Sequence, residues 1–381
     1  MPMVPFRSVG PEPVRPGAAP VGFGAMWRWA AHLVPVGTPV TLGEGGTPVV
    51  RLDAPSLPGL PGLILLKDER ANPTGSFKDR LASATVSRAR HLGADTVVVA
   101  STGNAGLAVA AYAAAARLGC VLLASQALPA ATGAAVEALG ARVLLTETFT
   151  DRWTSAQTGV EQLGWFPVTN YLTPPVASHP VGVQAYRTIA FEIAESLDWA
   201  VPDWVVVPVS RGDGLFGIWS GFVELAELGW TSKVPRMMAV ERHPSLTDAL
   251  ARHLEQPELV RVDGQVKARS ISDPQGAGMS VHAIRASGGD AVVGDDEQIQ
   301  AAWERLAASG VLLELSSAAV LHGAQVLADR GAIDGESTVV LLATAGPYSQ
   351  QTLDGPPAGR RVEDPTDAAA LRAATAQSTG A

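Results

Sequence analysis

The sequence predicts an α/β protein built from two doubly wound units with mostly parallel sheets. Two observations carry this. Short, continuous Val/Leu-rich runs recur along the chain, as strands buried on both faces require. Each such run alternates with a longer segment of helical character, the pattern of parallel strands joined by crossovers. A length of 381 residues allows two or three units of ordinary domain size. In open α/β sheets, ligands lie beyond the carboxyl ends of strands, so the loops that follow strands are where chemistry is expected.

Residues 1–24 are rich in Pro and Gly and lack the apolar core of a signal peptide, so they read as an extended arm. Residues 96–100 form a short β-branched run, and an Ala-rich helix is expected over 107–118. Strand, helix and extended chain then follow at 121–124, 132–139 and 142–145. The alternation returns as a strand over 204–209, a helix over 216–228 and a strand over 236–241. It closes with helices over 296–309 and 316–329 and a strand over 338–342. The spacing Asp295-Asp296-Glu297-Gln298 is that of a capping box, which supports a helix start there. Residues 355–381 hold Pro356-Pro357 and no sustained apolar period, and read as a disordered tail.

Composition removes several classes of function. Apolar residues at 47% against 17% charged exclude a globally disordered chain. A net charge of −9 argues against nucleic-acid binding, which needs a basic stripe. The most apolar window, residues 105–124, is Ala-rich, contains Arg117, Gly106 and Gly119, and fits a buried helix entering a strand better than a membrane span. A single cysteine, Cys120, excludes an internal disulfide framework and points to a reducing, cytoplasmic setting. The histidines show no metal-ligand spacing, so no metal site is expected.

Three loops could carry chemistry. Asn72-Pro73-Thr74-Gly75-Ser76-Phe77-Lys78 combines turn signals with a helix expected to open at Ser76, placing Lys78 in its first turn. A cation there opposes the helix dipole, which is the behaviour of an ordinary surface lysine or of an amine kept for covalent chemistry. Ser101-Thr102-Gly103-Asn104-Ala105-Gly106 brings hydroxyls, an amide and backbone N–H groups to a helix N-terminus, a natural anion site. One Ser or Thr would suffice for capping alone. Ser210-Arg211-Gly212-Asp213-Gly214-Leu215-Phe216-Gly217 follows a strand and matches the spacing of a dinucleotide fingerprint. That leaves open a nicotinamide or flavin oxidoreductase, although the same cradle serves other phosphorylated cofactors.

Taken together, these segments resemble the threonine synthase branch of the fold-type II pyridoxal-phosphate (PLP) enzymes, the tryptophan synthase β superfamily. Leu42-Gly43-Glu44-Gly45-Gly46-Thr47-Pro48 looks like the family's entry motif, and the likeness runs from about residue 36 to 350. It implies two α/β domains with PLP between them: a large one from residues 25–84 and 186–354, and a small one from 85–185. It further implies that Lys78 is the Schiff-base lysine and proton shuttle, and that Asn104 bonds the cofactor's phenolic oxygen. Ser101, Thr102, Gly103 and Ala105 would bind the substrate carboxylate. Ser210, Arg211, Gly212, Asp213, Gly214 and Leu215 would hold the cofactor phosphate, and Thr344 would face the pyridine nitrogen, with Glu314 close by. A neutral hydroxyl at that nitrogen suits elimination and replacement better than transamination.

The family's arginine for a substrate phosphate is absent from His179-Pro180-Val181-Gly182, so Lys67 and His179 are the candidates to replace it. The activity implied is elimination or replacement on an amino acid with a β or γ leaving group, with O-phosphohomoserine to threonine the best named case. A serine/threonine dehydratase or β-substitution enzyme is the neighbouring alternative. A non-catalytic metabolite-binding relative is an alternative of another kind. The family also implies a homodimer acting on a small amino-acid substrate.

Overall fold

The computed structural model describes residues 25–52, 57, 59–101, 103–126, 128–147, 151–172, 176–262 and 266–347. The arm, the tail and Thr102 therefore lie outside the described residues. A 3₁₀ segment, Ala25–His32, precedes β1 (Val49–Arg51) and β2 (Leu63–Asp68). Then come α1 (Lys78–His91), β3 (Thr96–Ala100), α2 (Asn104–Ala116), β4 (Gly119–Ser125), α3 (Ala130–Ala138), β5 (Arg142–Thr146), α4 (Asp151–Leu163) and β6 (Phe166–Pro167). The chain continues through α5 (Pro180–Ala185), α6 (Arg187–Ser196), β7 (Trp204–Pro208), α7 (Asp213–Glu227), β8 (Arg236–Glu241) and α8 (Ser245–Ala251). It ends with α9 (Gly278–Ala286), β9 (Asp290–Val293), α10 (Asp296–Ala308), α11 (Leu315–Asp329) and β10 (Thr338–Ala343).

Two sheets result. One has six strands in the order β1-β2-β10-β7-β8-β9, parallel except for the antiparallel edge pair β1 and β2. The other has four parallel strands in the order β5-β4-β3-β6. Both are covered on both faces, and the period of two along each strand divides the core. In β10, Val340 and Leu342 join the main cluster with Phe222 of α7 and Ile284 of α9. Val339 and Leu341 face the opposite cluster with Leu306 of α10 and Leu321 of α11. In β3, Val97 and Val99 pack with Val109 of α2, and Val98 packs with Ala156 of α4. This is the doubly wound arrangement expected from continuous Val/Leu runs.

The capping box at α10 is present in full, with Asp295 accepting from the Gln298 amide and Gln298 accepting in return. The first helix departs from expectation by two residues. It opens at Lys78 rather than Ser76, because Ser76 forms a bridge to Ala345 and Phe77 donates its N–H to the Thr344 carbonyl. That pairing stitches the lysine loop to the end of β10.

Beneath the loop lies a fully buried charge network. Arg80 of α1 donates to Glu69 and Glu192 at 2.7–2.8 Å, and Lys67 donates to Glu192 and to the Thr47 carbonyl, both at 2.6 Å. Burial alone would raise the Glu69 and Glu192 carboxyls, but Arg80 and Lys67 hold both below the usual range. The network ties α1 to α6 and to the chain around β1 and β2.

Candidate active site

In the larger sheet, β2, β10 and β7 are neighbours, so the loops that follow them emerge side by side at one edge. They carry Lys78, Thr344 and residues 210–212. The loop after β3, with Ser101 and Gly103, faces them from the smaller sheet. These four segments line one cavity of about 480 Å³. It brings together Lys78, Ser101, Gly103, Asn104, Ala105, Thr344 and residues 210–215, as well as Phe77 and Ser316.

Lys78 is half-buried on this wall, with its amine 4.5 Å from the centre of the Phe77 ring and 5.8 Å from that of Tyr186. Desolvation lowers its pKa from the usual lysine value, and the charges of Asp213 and Glu314 offset this only in part. A larger fraction of neutral, nucleophilic amine results. Of the four lysines in the sequence, Lys78 alone lines the cavity. Lys67 is in the buried network, Lys233 pairs with Asp203 at the surface, and Lys267 is exposed.

Asn104 opens α2. Its Nδ2 donates to Glu314 at 2.7 Å, while its Oδ1 is buried and has no hydrogen-bond partner among the described residues. Glu314 precedes α11 but does not cap it; its carboxylate turns to Asn104 instead. The Ser101 hydroxyl accepts from the Gly103 amide at 3.1 Å. The amides of Gly106 and Leu107 donate to the Gly103 carbonyl, which leaves those of Asn104 and Ala105 without an intrahelical partner at the start of α2. Thr344 Oγ1 and Ser317 Oγ lie 2.5 Å apart, and Ser317 also accepts from the Ala345 amide.

The 210–215 loop leads into α7 through Gly212, whose φ of +100° belongs to glycine. A Cβ there would lie 1.7 Å from Ser280 Oγ, and one on Gly214 would lie 2.7 Å from the Phe77 ring. These glycines bring the backbone amides of the α7 N-terminus against the cavity, the geometry of a phosphate cradle. Gly217, the third glycine of the fingerprint, packs against Tyr186 and the Val183 carbonyl. It serves helix packing rather than ligand contact. Asp213 works against a phosphate, but the first turn of α7 favours its carboxylate and its charge acts on Lys78.

Two sequence candidates need correction. Lys67 is fully buried between Glu192 and Thr47, away from the cavity, because the network needs its charge. His179 also falls outside the lining. Its Nδ1 accepts from the Val181 amide to cap α5, its ring lies 4.9 Å from that of Phe166, and burial lowers its pKa. Conversely, Arg152, Trp153 and Asp273 line the cavity without having been singled out. A charged residue within an amphipathic helix reads as solvent-facing, so Arg152 gave no signal.

Fold and site together define two mostly parallel sheets whose strand-end loops meet at one cavity lined by a desolvated lysine and a glycine-rich helix start. Residues 40–345 match the family model described as pyridoxal-phosphate dependent enzyme, and the chain belongs to that family. It is similar to the threonine synthase of Methanosarcina acetivorans, 36% identical over 84% of this chain and 79% of the relative. It is also similar to the threonine synthase of Methanocaldococcus jannaschii, 33% identical over 84% and 79%. Among solved structures, an L-serine ammonia-lyase from Rhizomucor miehei superposes with a TM-score of 0.67 at 22% identity, covering 81% of this chain and 95% of that one. Maize serine racemase gives a TM-score of 0.68 at 20% identity, covering 81% and 90%.

The residues present fit PLP. The Asn104 oxygen lacks a partner among the described residues, the amine is desolvated, and the glycine cradle has no room for a Cβ. The dinucleotide alternative ends here, since the family is that of pyridoxal-phosphate dependent enzymes.

Proposed function

We propose that this chain converts an amino acid with a γ-phosphate leaving group into its β-hydroxy product, as a threonine synthase does with O-phospho-L-homoserine. The observation that supports it most is the convergence of a desolvated Lys78, Asn104 and the α7 cradle on one cavity, in a chain 36% identical to a threonine synthase. Bound PLP supplies an aldehyde that condenses with amines and a ring that draws electron density from the substrate α-carbon.

The protein's own groups do the rest. The α2 N-terminus with Ser101 and Gly103 binds the substrate carboxylate and fixes which bond at the α-carbon faces Lys78. Once its amine is free, Lys78 removes the α-proton and returns protons later; such general-base catalysis contributes about 10²–10⁴-fold. Asn104, held by Glu314, would bond the cofactor through its free oxygen, and Thr344 would present a neutral hydroxyl, which supplies a weaker electron sink than a carboxylate partner. A β-proton is removed in turn as the γ-carbon–oxygen bond breaks and phosphate leaves; the γ-carbon then takes up a proton, water adds its hydroxyl at the β-carbon, the α-carbon regains a proton, and the second proton of water departs with the phosphate.

Incubating the holoenzyme with O-phospho-L-homoserine tests this. Threonine and phosphate in equal amounts, lost in Lys78→Ala, support it. Turnover of L-serine or L-threonine to an oxo acid with no action on the phosphorylated substrate replaces it with a dehydratase. The proposal extends to a cytoplasmic homodimer on family resemblance alone. Light scattering at twice the chain mass supports the dimer, and a monomeric mass removes it.

A further inference from the structure

The cavity has a second polar wall that the reaction as described does not use. Arg152 and Trp153 come from α4, on the smaller sheet, while Arg211 and Asp273 come from loops of the larger one. Arg211 Nε lies 2.9 Å from Asp273 Oδ2, and Nη2 donates to Oδ1 at 3.3 Å. Its guanidinium carbon sits 4.7 Å from the centre of the Trp153 ring. Two sides of the group are thereby fixed. The remaining nitrogen, Nη1, is buried and makes no hydrogen bond among the described residues. Arg152 is buried, and its pKa is lowered to about 10, chiefly by desolvation, with Asp273 raising it and Arg211 lowering it.

Two guanidiniums thus line one wall of the cavity near the Asp273 carboxylate, in a chain whose net charge is −9. The buried Nη1 of Arg211 has no acceptor among the described residues, and an arriving anion would supply one. The two other anions of the reaction already have places. The α-carboxylate goes to the α2 N-terminus and the cofactor phosphate to the α7 amides at Gly212. What remains is the far end of the substrate.

We propose that Arg152 and Arg211 form a subsite that selects substrates by an anionic end of the side chain, a phosphate or phosphonate in particular. Trp153 and Asp273 are positioning residues that hold Arg211 in place. The proposal rests on the function given above and deepens it, for it supplies an arginine partner that residues 179–182 lack. Planar guanidiniums match such oxyanions through paired hydrogen bonds that lysine reproduces only in part.

The test uses holoenzyme and compares binding of L-2-amino-5-phosphonopentanoate with L-norvaline, the same carbon chain without the anion, followed by the cofactor's visible absorbance. The wild type should prefer the phosphonate. In Arg152→Gln and in Arg211→Gln that preference should fall by about 10- to 100-fold, the range for losing a hydrogen bond to a charged group. Arg152→Lys should recover part of it. A preference unchanged in both glutamine variants, or absent from the wild type, overturns the proposal. So does an equal loss of phosphonate and norvaline binding accompanied by weaker PLP affinity, which would assign the arginines to the cofactor phosphate. If O-phospho-L-homoserine is not turned over, the proposed function fails, while the binding preference still decides whether the subsite exists.

Discussion

Gly212 offers a test of the phosphate cradle whose size follows from the geometry. At φ +100° a Cβ would lie 1.7 Å from Ser280 Oγ and 2.7 Å from Ser280 Cβ. Gly212→Ala therefore combines a left-handed backbone, costing about 1–2 kcal/mol, with overpacking of about 1–3 kcal/mol. The loop can relieve this strain by drawing away from the cofactor phosphate. Some of the cost then appears as lost stability and some as lost affinity. We expect the dissociation constant for PLP, titrated by absorbance on apoenzyme, to rise at least about tenfold, since each tenfold corresponds to about 1.4 kcal/mol. The double variant Gly212→Ala, Ser280→Gly removes the overlap and keeps the backbone cost, so it should regain part of the affinity. Unchanged affinity in Gly212→Ala would refute the reasoning that the backbone at Gly212 forms the cradle.

Other predictions concern the residues around it. Lys67→Met should lower stability by about 3–5 kcal/mol, the usual cost of breaking a buried ion pair, measured by urea denaturation, while the KM for substrate stays within twofold. A large rise in KM would return Lys67 to the substrate site. Glu69 and Glu192 have carboxyls held below the ordinary value of 4.5. The unfolded chain thus binds more protons than the folded one just below pH 4.5, so their stabilisation is complete above that pH and is lost as the pH falls through the depressed values. Denaturation midpoints at pH 7 and pH 4 should differ, and the difference should shrink in Glu192→Gln; an equal difference in both proteins would contradict the assignment. Asn104→Ala should retain PLP but shift its absorbance and reduce kcat/KM by about 10- to 100-fold, as for a lost hydrogen bond to a charged partner. A wild-type spectrum and rate would remove Asn104 from the cofactor's ring.

Much of the fold was legible in the sequence because its strands are buried on both faces. Residues 236–241 read as a strand, and β8 spans Arg236–Glu241. The run 338–342 became Thr338–Ala343. The edge strands β1 and β9 were not legible. Val49–Arg51 and Asp290–Val293 are short and partly exposed, so neither a continuous apolar run nor strict alternation marks them. The loops that line the cavity were legible for a different reason. Its parts are local: a lysine after turn residues, hydroxyls before a helix and glycines after a strand. Arg152, Asp273 and the destination of Lys67 depend on contacts between distant segments. Lys67 reaches Glu192, 125 positions away, and Arg211 reaches Asp273 across 62. No spacing rule reports such pairs.

The most direct test of the central claim is reduction of the purified, PLP-loaded protein with borohydride, followed by peptide mapping. The account predicts a visible absorbance band that disappears on reduction and a pyridoxyl label on Lys78, with Lys67, Lys233 and Lys267 unlabelled. A label on another lysine, or no band after incubation with PLP, would contradict it.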